Sequence, residues 1–116
     1  MYTIYGIPNC DTVKKVLDWM KAKKFNYQFH DYKTSGISKK ELKNWCDQVG
    51  WETIFNKRST TYKTLAPEVQ ASITNATNAI KIMEEHTSII KRPVITQDNK
   101  VIAVGFDAGK YETLFG

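Results

Sequence analysis

Cys10 has the strongest case for chemistry in this chain. It follows a short aromatic and β-branched run, Tyr2-Thr3-Ile4-Tyr5, and a turn, Gly6-Ile7-Pro8-Asn9, and it stands where a helical pattern begins. A helix start presents unpaired amide N–H groups and the positive end of the helix dipole. A thiolate held there is stabilised, so this thiol is expected to ionise below the free value of ~8.5. Thr12, in the first turn, is expected to donate a hydroxyl hydrogen bond to the sulfur. The Asp11 carboxylate works the other way, because it disfavours a second negative charge. The bland alternative is an inert cysteine that fills a helix start. Cysteines at helix N-termini form a recognised activated class, and that favours the reactive reading.

Position 13 sharpens the chemistry. A dithiol oxidoreductase places its second cysteine three residues after the first, and here that residue is Val13. Cys10 therefore has no local thiol to resolve a mixed disulfide. The second cysteine, Cys46, recurs with Leu42, Trp45 and Val49 at core spacing and reads as a small buried hydrophobe. A reducing compartment argues against a structural bridge between the two. The resolving thiol must then come from outside, most simply from glutathione. Attack by a thiolate builds or moves negative charge, which fixed cationic donors stabilise. Of the 17 Lys plus Arg residues, only Arg58 and Arg92 are arginine, the residue suited to forked contact with an oxyanion or carboxylate. The plainer reading of either one alone is a surface cation. Both are candidates to converge on Cys10.

The elements that must position these residues follow from periodicity. Residues 2 to 5 form a strand. Val13, Val16, Leu17 and Met20 lie on one helical face, and Lys21, Lys23 and Lys24 suit that helix's C-terminal end. Residues 26 to 30 alternate as a second strand, giving a βαβ unit. Ser38-Lys39-Lys40-Glu41 is a capping box, opening a helix that buries Leu42, Trp45, Cys46 and Val49 and ends at Gly50. Pro67 starts another helix carrying Val69 and Ile73. A third helical stretch covers about 77 to 86, with Ile80, Met83 and Ile82 apolar. Strands at 94–96 and 101–104 flank the Asp98-Asn99 turn, and a closing helix places Tyr111, Leu114 and Phe115 on one face.

The order β-α-β, helical insert, β-β-α is that of an α/β, thioredoxin-like domain with a mixed sheet, in which the helices at about 38–86 are an insertion. The 116 residues suit one such domain. In thioredoxin-like folds, the loop carrying a proline before the third strand lies beside the reactive cysteine. Here that proline is Pro93, preceded by Arg92.

Composition excludes several classes. The 41% hydrophobic content is globular rather than disordered. No apolar run approaches the roughly 20 residues that span a bilayer. Residues 1 to 5 read directly as structure rather than as a leader, so the expected compartment is cytoplasmic. The net charge of +5 comes from lysines scattered in pairs, without a basic run or basic-aromatic interleaving, which speaks against nucleic acid as the main partner. His30 reads as a surface or rim residue, and His86 as a helix-ending residue that favours the dipole. No Cys/His pair has metal-ligand spacing, and no phosphate-cradling or dinucleotide glycine pattern occurs.

Four blocks occur in order: Tyr5-Gly6-Ile7-Pro8-Asn9-Cys10-Asp11-Thr12, Gly50-Trp51, Lys57-Arg58-Ser59-Thr60-Thr61-Tyr62 and Ile90-Lys91-Arg92-Pro93-Val94. Together they resemble the ArsC/Spx superfamily (arsenate reductase-like), closest to its YffB-like branch, over nearly the whole chain. The resemblance implies a thioredoxin fold with a helical insertion, Cys10 at the nucleophile position, and Arg92 as the arginine before a proline that is cis in this fold. It makes Cys10, Arg92 and Arg58 the expected catalytic set, and Asn9, Thr12 and Pro93 the expected substrate-binding residues. Glutaredoxin-dependent arsenate reductases carry three arginines around the cysteine. The first falls at or near Asn56 here, with Arg58 displaced by two positions, and the third falls near Val104. Arg58 resembles the arginine of the Lys/Thr-Arg-Ser segment of the YffB-like branch. Spx-type regulators, which bind RNA polymerase, carry a redox cysteine pair that Val13 breaks.

The expectation is a monothiol oxidoreductase that binds no cofactor, uses glutathione as co-substrate, and acts on a disulfide or small oxidised molecule, with glutaredoxin as a further partner. Arsenate reduction is the narrower version, with Lys100 or another lysine supplying the missing cation. The rival from another class is a non-catalytic, Spx-type protein that binds RNA polymerase.

Overall fold

Alternating β-branched and aromatic residues in the first and last thirds of the chain pair into one sheet. The computed structural model describes residues 1–115. β1 (Tyr2–Gly6) runs parallel to β2 (Tyr27–Asp31) and antiparallel to β3 (Val94–Gln97), and β4 (Lys100–Val104) completes the mixed sheet in the order β2-β1-β3-β4. α1 (Asp11–Ala22) is the crossover between the two parallel strands. The Asp98-Asn99 turn adopts φ of 52° and 67°, the left-handed pair that a two-residue hairpin requires and that Asp and Asn tolerate. The sheet elements form the α/β, thioredoxin-like architecture expected from the sequence.

The chain divides into two compact units, Met1–Ser35 with the chain from Arg92 onward, and Gly36–Lys91. In the sheet unit, Ile4, Val16, Met20, Ile95, Ala103, Tyr111 and Phe115 form the core. α8 (Ala108–Leu114) contributes Tyr111, and Phe115 follows it as the C-cap. Leu114, expected on the same face, is 50% exposed. At about 100° per residue, Tyr111 and Phe115 share the buried stripe, and Leu114, about 60° from Tyr111 and about 100° from Phe115, falls at its flank. Gly6 ends β1 because nothing larger fits: a Cβ there would lie 2.7 Å from Val13 Cγ2. Val13 itself is fully buried, so the first turn of α1 is clamped against the end of β1.

The helical unit contains α3 (Lys39–Val49), α4 (Trp51–Ile54), α5 (Thr60–Thr64), α6 (Pro67–Ser72) and α7 (Ala76–Glu85), then a 3₁₀ turn at Thr87–Ile89. Ser38 Oγ accepts from the Glu41 N–H at 3.2 Å, the N-cap anticipated from the sequence. Leu42, Trp45 and Cys46 are buried on α3. Sequence periodicity missed α4, α5, the 3₁₀ turn and, in the sheet unit, α2 (Tyr32–Ser35). Each is too short to display a full helical stripe. Their ends are fixed instead by local bonds, such as Ser59 Oγ accepting from the Tyr62 N–H and the Asp31 carboxylate accepting from the Lys33 N–H and Thr34 hydroxyl.

Candidate functional site

The sheet's register determines which residues meet. β1 and β2 are parallel, so their C-terminal ends lie at one edge, with Tyr5 opposite His30 and Gly6 opposite Asp31. β3 is antiparallel to β1, so its N-terminal end lies at the same edge, with Val94 opposite Tyr5. Three segments therefore leave the sheet together: the 7–10 turn into α1, Tyr32 after β2, and Arg92-Pro93 before β3.

Cys10 is the N-cap of α1, in extended backbone (φ −110°, ψ 125°), and its carbonyl accepts the first helical bond from the Lys14 N–H at 3.0 Å. Its thiol is half-buried. That partial burial pushes the thiol up, but the combined pull of other groups outweighs it, and the pKa falls below the ordinary thiol value. Those groups are the backbone N–H donors of Val13 and Thr12, and the Arg92 guanidinium through a hydrogen bond and its charge. The sulfur closes no strict cap hydrogen bond among the described residues. Helix-start activation is thus carried by the first-turn amides and one cation.

Two sequence expectations change in detail. Thr12 acts on the sulfur through its backbone N–H rather than its hydroxyl. Asp11 is exposed, and its carboxylate does not figure among the groups acting on the thiol.

Arg92 is half-buried and joined to Pro93 by a cis peptide bond. Pro93 is buried, and its carbonyl accepts from the Gly105 N–H at 2.8 Å. Gly105 has φ of 77°, which a glycine adopts without strain, and its carbonyl takes the Tyr111 hydroxyl. The Arg92-Pro93 loop is therefore tied through Gly105 to the packed closing helix. Asn9 lies exposed in the turn before Cys10.

Val104, where the resembled three-arginine site has its third cation, lies opposite Val94 at this edge. Lys100 does not replace it. It pairs with Gln97 at the other end of the hairpin, about 13 Å along the strand from Val104.

Arg58 belongs to the helical unit, where it is exposed and its N–H donates to Asn56 Oδ1 at 3.0 Å. Asn56 in turn donates its own N–H to the Ile89 carbonyl at 2.8 Å. Cys46 is also in this unit. Its thiol is raised by burial and by the neighbouring Asp47 carboxylate. A cavity of about 470 Å³ between α3 and α7 is lined by Cys46 with Lys39, Lys43, Asp47, Ile80 and Lys81. Both cysteines are free thiols.

Sequence reasoning missed an aromatic group at the sheet edge. Tyr32 is 2% exposed. Its ring stacks on Tyr5 at 6.2 Å between centroids and meets His30 edge-on at 6.0 Å. His30, expected at the surface or rim, is half-buried with its ring 4.8 Å from Tyr5. The available signal was Tyr5, His30 and Tyr32 at the ends of two strands that the βαβ pattern makes parallel. Among the described residues, no group of three or more His, Cys, Asp or Glu could hold a metal ion, and no helix is long and apolar enough to cross a membrane.

Comparison with known proteins fits this arrangement. The model of the family described as ArsC matches residues 5–114. A solved structure named YFFB protein is 37% identical and superimposes with a TM-score of 0.93, covering 100% of both chains. An uncharacterised protein of Haemophilus influenzae is 40% identical over 115 residues, covering 99% of both chains. A global transcriptional regulator, Spx, of Streptococcus agalactiae is 28% identical over 109 residues, covering 92% of this chain and 77% of its own.

Proposed function

We propose that this chain, which belongs to the ArsC family, is a monothiol oxidoreductase that uses Cys10 as nucleophile and glutathione as reductant. The observation that carries this function is the depressed pKa of Cys10 beside the Thr12 and Val13 amides and Arg92, with Val13 buried where a second thiol would stand.

Take a glutathione mixed disulfide as substrate. The Cys10 thiolate attacks the glutathione sulfur, the S–S bond breaks, and the former partner leaves as a thiolate that takes a proton from solvent. Cys10 now carries a mixed disulfide with glutathione. A second glutathione thiolate attacks the glutathione sulfur of that adduct, giving oxidised glutathione and restoring the Cys10 thiolate. The substrate disulfide gains two electrons, and the free glutathione supplies them through its own oxidation. The Thr12 and Val13 amides stabilise the thiolate before attack and after release. Arg92 serves a second purpose, pairing with an anionic group on the substrate such as a glutathione carboxylate. Asn9, Thr12 and Pro93 are the residues this reading assigns to substrate binding beside the thiol. Arg58 is the second candidate for the anion, on the strength of its residue type in a lysine-rich chain. Glutaredoxin is the protein that would accept the adduct in place of the second glutathione. Arsenate reduction has weaker support, because Val104 stands in place of the third cation.

The test is glutathione-dependent reduction of a mixed disulfide by wild type and Cys10→Ser. Equal rates would overturn the assignment. A second reading has one specific observation behind it, the similarity to an Spx regulator along 109 residues. It expects a stable complex with RNA polymerase that persists in Cys10→Ser, and a pull-down with both proteins decides it.

A further inference from the structure

α3 and α7, both in the helical unit, border a cavity of about 470 Å³, within the size range of small-molecule sites. Its lining sorts by polarity. Cys46 is 9% exposed, and Ala76 and Ile80 are half-buried, so these three make an apolar wall. Lys39, Lys43 and Lys81 are exposed and stand at the mouth. The Cys46 thiol reflects this division. Burial and the Asp47 carboxylate raise it, and no lysine is among the groups acting on it. At neutral pH the wall is therefore uncharged.

The mouth carries surplus positive charge. Among the described lining residues, Asp47 is the single carboxylate against three ammonium groups, and it pairs with Lys43 at 3.0 Å. Lys39 reaches Glu84 only at 3.8 Å, between exposed side chains, a contact worth little in water. Lys81 has no ion pair among the described residues. Residues 76–78, the first three of α7, also line the cavity, and no acidic residue in that turn offsets the positive end of the helix dipole. An apolar wall under a cationic mouth matches a molecule with an apolar body and an anionic head. A neutral apolar ligand would leave the mouth unmatched, and a bare anion would leave the wall wet.

We propose that the α3–α7 cavity binds a small amphiphilic carboxylic acid, with its carboxylate at Lys39, Lys43 and Lys81 and its apolar chain against Cys46, Ala76 and Ile80. The site is independent of the reaction proposed at Cys10.

The experiment follows backbone amide shifts of the full chain by NMR during titration with octanoate, 1-octanol and acetate. Octanoate should give saturable shifts in α3 and α7. 1-Octanol, with the same chain and no charge, should bind about tenfold more weakly, and acetate, with the head alone, should not saturate. Lys81→Glu should weaken octanoate about tenfold, because an attraction becomes a repulsion. Position 81 is exposed, so the substitution should leave the melting temperature within a few degrees of wild type. Added salt should weaken octanoate more than 1-octanol. The absence of saturable shifts in α3 and α7 overturns the site. So does equal affinity for octanoate and 1-octanol, which would make the cavity a plain apolar hollow. Unchanged octanoate affinity in Lys81→Glu overturns it as well. Shifts in α3 and α7 that depend on protein concentration, and that octanoate does not alter, would mean that a second copy of the chain covers this face, and the proposal would fall.

Discussion

Cys10 and Cys46 are one side chain in two environments, and their thiols shift in opposite directions. Cys10 ends a turn at the sheet edge, with amide donors and a guanidinium facing its sulfur, and its thiol is lowered despite partial burial. Cys46 sits mid-helix on α3, where backbone N–H groups are already used within the helix, and burial with Asp47 raises its thiol. A cavity borders Cys46, yet a cavity supplies no positive charge to the sulfur. The lysines that line it include Lys43, which is paired with Asp47 at 3.0 Å. The lowered thiol goes with the donors rather than with the hollow.

The sharpest way to break the contrast is to remove each sulfur in turn. Cys10→Ser should lower glutathione-dependent disulfide reduction by at least about a thousandfold, since a serine hydroxyl is not ionised at neutral pH. Cys46→Ala should leave the rate within about twofold and cost about 1 kcal/mol in denaturant melts, as a small core truncation does. Comparable losses of rate in the two variants would erase the distinction.

Arg92 tests the electrostatic half of the contrast. Arg92→Leu should reduce kcat/KM by about ten- to a hundredfold and move the Cys10 titration upward, because a charge and a hydrogen bond that favour the thiolate are both lost. Arg58→Lys in the same assay should raise KM by a few-fold with kcat nearly unchanged, the signature of lost substrate binding. An unchanged KM removes Arg58 from the site.

The pH dependence has a definite sign. A lowered pKa leaves a larger thiolate fraction at pH 7, so Cys10 should reach its half-maximal rate of alkylation by iodoacetamide at a lower pH than a free thiol does. Cys46 should reach its half-maximal rate at a higher pH than a free thiol does. Peptide mass spectrometry across a pH series reads both sites in one sample, and a reversed order would overturn the comparison. The smallest effect concerns the scaffold under Cys10. Gly6→Ala places a methyl against Val13 and should destabilise the chain by about 1–3 kcal/mol, measured by denaturant midpoint.

Much of this was legible from residue order. The strand, the Gly6-Ile7-Pro8-Asn9 turn and the Val13/Val16/Met20 stripe placed Cys10 at a helix start, and the arginine before Pro93 stood out against a lysine background. What was hidden depends on register and on short elements. Tyr32 and His30 become neighbours of Tyr5 only once β1 and β2 are aligned residue by residue. Lys100 looked like a spare cation until the hairpin put it four residues from the working edge. α4 and α5, of four and five residues, are too brief to be stable in isolation and are set by packing and caps. Leu114 shows that a run of apolar residues overstates a helix's buried face when the helix is only seven residues long.

The clamp between Gly6 and Val13 also bears on kinetics. Val13 fills the fully buried position at which a dithiol site would carry its second sulfur, so the first turn of α1 offers no thiol to resolve a mixed disulfide at Cys10. In the proposed reaction the second half-reaction would then be bimolecular, with a rate proportional to the concentration of reduced thiol around the protein. With that pool full, the free thiolate would dominate. With it depleted, the mixed disulfide would accumulate, so the occupancy of one sulfur would track the thiol supply of its surroundings as a meter does.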